Sequence, residues 1–215
     1  MKRLKNHLRL LLLLSFCLDG ILGYASTIDQ SFTSGTNEGA NINECCAFIG
    51  QTYTAGVSGT LAGVSVDINE FVGHNLPLDV QIRVVSGGVP AYPIIGEATT
   101  TGFRLSDVIT FSQVIPQIAG TQYAIVVHFI GAPLEGGGQG VGVWSGASGN
   151  LYSGGLLVAS SDYGITWPLV YNDLDQHFIT YVNTTSSIPE PAPFLLLSFG
   201  LVAVRTMRRR RSQAH

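Results

Sequence analysis

Cations are nearly missing from the middle of this chain. Between residues 26 and 188 there is no lysine, and the only arginines are Arg83 and Arg104. Of the 11 Lys+Arg, four fall before residue 26 and five after residue 188, whereas 12 of the 14 Asp+Glu lie in between. That stretch sets two positive charges against twelve negative ones, formally −10, although the whole chain reads only −3. No nucleic-acid partner is expected, because phosphate binding depends on Lys and Arg displacing counterions. An anionic membrane surface is disfavoured on the same ground. Schiff-base chemistry and a Walker-type phosphate cradle both need a lysine that this stretch does not have.

Catalytic signatures are absent as well. Ser58 and Ser145 sit among glycines (Gly56-Val57-Ser58-Gly59-Thr60 and Gly142-Val143-Trp144-Ser145-Gly146), but neither forms a Gly-x-Ser-x-Gly nucleophile turn. His74, His128 and His177 make no His-Glu-x-x-His pair. The Gly136-Gly137-Gly138-Gln139-Gly140 run is not followed by Lys-Ser/Thr and reads as a loop. No stretch of helical length has apolar residues at a 3.6-residue spacing.

Thiols are scarce. Cys17 lies near the start, which leaves the adjacent pair Cys45 and Cys46. Neighbouring trans Cα atoms are about 3.8 Å apart, below the usual disulfide range of about 4.4 to 6.8 Å. A bond between them would be strained and easily reduced; free thiols and bridges to another chain are the alternatives. With no His or further Cys nearby they make a poor zinc site.

The two ends read as addresses. Lys2, Arg3, Lys5 and Arg9 precede the apolar run Leu10–Leu18, and Gly23-Tyr24-Ala25 places small residues where a signal peptidase reads them. Residues 1–25 are thus expected to be a signal peptide cut between Ala25 and Ser26. At the other end, residues 184–188 form a Thr/Ser linker, and Pro189-Glu190-Pro191 is followed by 13 uncharged residues, 192–204, then Arg205 and Arg208, Arg209, Arg210 and Arg211. As a helix the apolar segment spans about 20 Å, short of the roughly 30 Å hydrocarbon core. The arginines behind it would stay in the cytoplasm.

A Pro-Glu-Pro tripeptide, a short apolar segment and a terminal Arg cluster in that order, over residues 189–211, resemble the PEP-CTERM sorting signal of Gram-negative bacteria. The resemblance implies a membrane-embedded transpeptidase, exosortase, as a processing partner besides signal peptidase. It also implies transient anchoring in the inner membrane before transfer to the cell surface or an extracellular matrix. Because exosortase systems accompany exopolysaccharide, an extracellular polysaccharide is a further expected partner.

The body, residues 26–183, reads as all-β. Val64, Val66 and Ile68 alternate with Ser65, Asp67 and Asn69, and Val80, Ile82 and Val84 alternate with Asp79, Gln81 and Arg83. Period two predicts strands with one face buried and one wet. Residues 121–130 (TQYAIVVHFI) are apolar at almost every position and predict a central strand covered on both sides. Phe178, Thr180 and Val182 supply the last alternation, and turns are expected at Ser86-Gly87-Gly88, Ala119-Gly120-Thr121 and Ser153-Gly154-Gly155. Many short strands between frequent turns predict an antiparallel β-sandwich. Gln51–Gly56, Gly59-Thr60-Leu61, Val80–Arg83, Gly120–Ile125, Trp144, Tyr152–Gly155, Trp167 and Phe178–Val182 together resemble a recurrent secreted bacterial module, which implies a jelly-roll-like connectivity and no particular activity.

Candidate ligand groups are few. Asp162, Asp173 and Asp175 are weak Ca²⁺ candidates, since hard cations take loop carboxylates, although no Asp-x-Asp-x-Asp-Gly loop is present. Asp173 and Asp175, two apart, could also share a face as a glycosidase pair. Trp144, Tyr152, Tyr163 and Trp167 lie in a Gly/Ser/Asn/Asp-rich region and could stack on sugar rings or fill the core. The function expected is a non-enzymatic, surface-sorted envelope or matrix protein; a carbohydrate-binding module and a polysaccharide-active hydrolase or lyase are the alternatives. Exported protein should begin at Ser26. Intact-mass measurement checks this, and retention of residues 1–25 would refute it.

Overall fold

The computed structural model describes residues 26–35, 38–42, 47–70, 76–132 and 141–184. The signal peptide, Cys45, Cys46, His74, the Gly136–Gly140 run, the linker beyond residue 184 and the sorting signal lie outside the described residues. By its contacts the chain divides into residues 1–184 and 185–215.

Fourteen strands and no helix are found among the described residues: β1 (Ser26–Phe32), β2 (Glu38–Ile42), β3 (Phe48–Thr54), β4 (Gly59–Val66), β5 (Ile68–Glu70), β6 (Leu78–Ser86), β7 (Val89–Thr100), β8 (Ile115–Gln117), β9 (Gln122–Phe129), β10 (Gly142–Ser148), β11 (Leu157–Ser160), β12 (Leu169–Tyr171), β13 (Leu174–Gln176) and β14 (Phe178–Asn183). All pairings are antiparallel. Six strands make one sheet in the order β12-β11-β3-β9-β6-β7. The other layer has two parts, β1-β14-β4-β8 and β13-β10-β2, with β5 also on β10.

Those two parts meet at Ser145. Its N–H donates to the Asp67 carbonyl (2.8 Å), and its own carbonyl accepts from the His177 N–H (2.7 Å). Asp67 separates β4 from β5 and His177 separates β13 from β14. One strand, β10, therefore receives both neighbours where they part.

The layers pack face to face through one apolar cluster. Leu78, Val80, Ile82, Ile125 and Val127 of the six-stranded sheet meet Val64, Val66, Trp144, Phe178 and Val182 of the other. This is a β-sandwich-like, all-β fold. Within the interface Gln51, fully buried on β3, reaches the opposite layer: its Oε1 accepts the Gln176 N–H (2.8 Å) and its Nε2 donates to Asp175 Oδ1 (3.4 Å). A buried amide held at both ends ties the sheets in one register, and removing either end would leave a costly unsatisfied group.

The expectation of one wet face needs correction on two strands, and on β4 Ser65 is fully buried. The polar side chains of β6 do not face water: Asp79, Gln81 and Arg83 are 4%, 5% and 1% exposed. A second cluster, Phe48, Ala124, Val126, Val158 and Trp167, covers this outer face. The segment after β11 folds back over the sheet, a tertiary contact that strand periodicity does not register. The same cover accounts for β9, where Tyr123 to Val127 are buried on both sides.

Two glycine turns differ in what they require. Gly87 and Gly88 close the β6–β7 hairpin at φ +63° and +84° with open space around them, so their need is conformational. Gly155 instead lies against Thr52: a Cβ there would sit 1.7 Å from the Thr52 carbonyl oxygen. Gly155→Ala should cost about 3 kcal/mol or more through forced strand separation, and Gly87→Ala only about 1–2 kcal/mol. Urea unfolding of both variants measures the difference; equal losses would refute the close-approach account.

Candidate ligand-binding face

The outer face of the six-stranded sheet gathers most of the chain's unusual polar groups. Register places Asp79 of β6 beside His128 of β9, and Gln81 beside both Val126 of β9 and Glu97 of β7. The Gln81 amide is the hub. Its Nε2 donates to Asp79 Oδ2 (2.9 Å) and Glu97 Oε1 (3.1 Å), while its Oε1 accepts from Arg83 Nε (2.9 Å) and Nη2 (2.6 Å). Arg83 Nη1 donates to the Gly164 carbonyl (2.7 Å), and the guanidinium lies over the rings of Tyr92 (4.8 Å) and Trp167 (5.7 Å). Burial lowers its pKa from the ordinary value, and neutral acceptors together with the two rings take up its hydrogens and its charge.

Gly164 is delivered by a loop that Asp162 holds. Asp162 Oδ1 accepts from the Ser160 hydroxyl (2.7 Å) and the Thr166 N–H (2.8 Å), and its Oδ2 accepts from the Thr166 hydroxyl (2.6 Å). Hydrogen bonds from Thr166 first, and from Ser160 next, bring its pKa down to about 2. At the loop tip Tyr163 adopts φ +64° and leaves its ring 59% exposed, 6.4 Å from Phe48, which stacks on His128 at 4.1 Å.

Beneath that stack, His128 Nδ1 and Asp79 Oδ2 are 3.4 Å apart. Burial first, with the Glu97 charge adding to it, pushes Asp79 up to about 6 against the opposing Gln81 hydrogen bond. Burial first, with the Arg83 charge second, pulls His128 down to about 4. Between those values the carboxyl is protonated and the imidazole neutral, so one proton sits where two acceptors would otherwise face each other. At neutral pH Asp79 is ionised, and the neutral imidazole faces its Oδ2 with Nδ1, the nitrogen that can carry the ring's one N–H.

The residues singled out in the sequence are placed differently. Trp144 is fully buried in the main core with its indole N–H on the His177 carbonyl (2.8 Å). Trp167 is 7% exposed, and Tyr152 is half-buried with its hydroxyl on Gln30. Of the two roles left open for Trp144, Tyr152, Tyr163 and Trp167, the indoles take the core one, and of the four only Tyr163 is exposed. Asp175 is buried and accepts from the Tyr152 N–H (2.9 Å) and from Gln51, whereas Asp173 is exposed. Asp162, Asp173 and Asp175 do not converge on a cation, and among the described residues no three His, Cys, Asp or Glu groups do. Ser145 Oγ accepts from Asn69 Nδ2 (2.8 Å), and His177 packs against Phe32.

No family model matches the chain, and no curated protein matches it. The face carries rings presented to solvent, an exposed carboxylate at Glu97, a buried one at Asp79, and an arginine already engaged. Asp79, Gln81 and Arg83 were visible in the sequence as one face of one strand. Glu97, His128, Phe48 and Tyr92 were not, because only strand order brings them alongside.

The pH behaviour of the pair is testable. Asp79, with its folded pKa of about 6 above the ordinary 3.8, contributes stability at low pH that is lost as pH rises through that window. His128, folded at about 4 below the ordinary 6.5, contributes stability at high pH that is lost as pH falls. The two slopes oppose each other between about pH 4 and 6. Asp79→Asn removes the first, so the variant should be more stable than the wild type at pH 8, by on the order of 1–3 kcal/mol. That gain should vanish near pH 4, leaving the His128 slope exposed. Urea unfolding across this range checks it, and parallel curves for the two proteins would refute it.

Proposed function

We propose that this chain is an exported, surface-sorted, non-enzymatic protein of the envelope or exopolysaccharide matrix, with a jelly-roll-like body, processed by signal peptidase and an exosortase-like transpeptidase. The observation that carries this reading is the tail, Pro189-Glu190-Pro191, a short apolar segment and Arg205 to Arg211, at the opposite end from a signal-peptide pattern. A non-enzymatic body is supported by the use its polar groups are put to. Ser145, Asp162 and Asp175 are all taken up by hydrogen bonds within the fold.

A second reading, a carbohydrate-binding module, is favoured by one observation: Tyr163 and Tyr92, 59% and 58% exposed, border a face that also carries Glu97 and His128. Exposed aromatic faces beside acceptors suit sugar rings.

The sorting reading has a direct test. Replacing Pro189-Glu190-Pro191 with three alanines should leave export intact but trap an unprocessed form in the inner membrane, still carrying Arg208 to Arg211. Deleting residues 189–215 should release the protein to the periplasm or medium. C-terminal peptide mapping in a host with the transpeptidase decides this. An intact His215 on the wild-type protein at the cell surface would overturn the reading.

A further inference from the structure

We infer that the outer face of the four-stranded sheet β1-β14-β4-β8 is the surface on which a second copy of this chain packs, as a weak two-fold dimer. Strand register builds the face. Phe178, Thr180 and Val182 of β14 turn inward, so Ile179, Tyr181 and Asn183 turn outward. Tyr181 stands between Ile28 of β1 and Gly63 of β4. A Cβ at Gly63 would lie 2.8 Å from Val108 Cγ1, so the same row runs on to Val108. The neighbouring outward row is Ser26, Asn183, Thr60 and Pro116. Ile28 is 60% exposed and Val108 50%, and they end one continuous cross-strand row instead of being scattered singly. The outer face of the six-stranded sheet has its own apolar cover in Phe48, Val158 and Trp167; among the described residues no such cluster lies over this one.

Three properties of the face point to an identical chain as its occupant. The first is charge. Neither row holds an Asp, Glu, Lys or Arg, although residues 26–188 carry formally −10. Two such bodies repel wherever acids oppose acids, and these rows let them touch without that cost. The second is chemistry. The side chains of Ser26, Asn183 and Thr60 each donate and accept, so they can satisfy their own images across a two-fold axis, as carboxylates could not. The aliphatic row closes on itself in the same operation, sheet against sheet. The third is area. Four strands about 4.8 Å apart, seven residues long at about 3.3 Å each, present roughly 440 Å² per copy. A standard interface takes about 800 Å² per partner, so the dimer belongs to the weak class that forms at high local concentration.

The test is analytical ultracentrifugation of the purified exported chain over a concentration series reaching about 1 mM. A reversible monomer–dimer equilibrium is expected. Raising the salt should tighten it several-fold, because screening removes repulsion between like-charged bodies. Ile28→Glu and Val108→Glu, both at exposed positions, should each weaken it at least tenfold while leaving the urea midpoint unchanged. Val170→Glu adds the same charge to the exposed apolar edge strand β12 and should leave association unchanged. Equal weakening by all three variants would reduce the effect to overall charge and overturn the assignment. Weakening by Val170→Glu alone would move the contact to the β12 edge and overturn it too. A monomer at every concentration, an association that neither Ile28→Glu nor Val108→Glu weakens, or one that salt loosens would each overturn it as well.

Discussion

Arg83 is a guanidinium on the outside of a sheet, yet it is 1% exposed. A cation in that position costs several kcal/mol unless its hydrogens and its charge are met. Much of the outer face is organised around meeting them. The acceptors are neutral, the Gln81 side chain and the Gly164 carbonyl, and the rings of Tyr92 and Trp167 flank the plane. Because Gly164 belongs to the loop after β11, satisfying Arg83 fixes that loop, which in turn places Trp167 in the outer cluster with Val126 and Tyr163 beside Phe48. Asp162 clasps the same loop from within. One buried charge thereby couples a strand, a loop and the ring that solvent sees.

Gln81 gives this arrangement its electrostatic character. An amide presents an acceptor at one end and a donor at the other, so it faces Arg83 with oxygen and the two carboxylates with nitrogen. Asp79 and Glu97 consequently stand next to an arginine without a direct ion pair to it. The carboxylate Asp79 stays poorly compensated, which is why burial raises its pKa, and His128 is left neutral. Gln51 plays the corresponding part inside the sandwich, where it hydrogen-bonds across the layers to Asp175 and the Gln176 backbone. In both places a glutamine on a central strand takes a contact that no apolar residue could supply.

Legibility followed the range of each interaction. The strand character of β4, β6 and β14 was readable from period-two alternation, because which face a side chain takes is set within the strand itself, and that of β9 from its nearly unbroken apolar run. The turn at Gly87-Gly88 was readable for a similar local reason. Of the two roles open for Trp144 and Trp167, both indoles take the core one, a choice that composition cannot make. The calcium candidates do not come together: Asp162 and Asp175 are each engaged by groups the fold supplies, Thr166 and Ser160 in one case, Gln51 and the Tyr152 N–H in the other.

The amino-acid sequence by itself determined the charge of the body, its β periodicity and the absence of lysine chemistry, because these depend only on which residues occur and how they alternate. The pattern at the two ends is likewise a property of local order. Tertiary structure decided that both sides of β6 are dry, that Asp79 meets His128, and that Tyr163 rather than Trp144 faces solvent. Those outcomes rest on pairings between strands far apart in sequence and on a loop folding back over a sheet. Burial and the pKa values that follow from it come into being only when those distant segments meet.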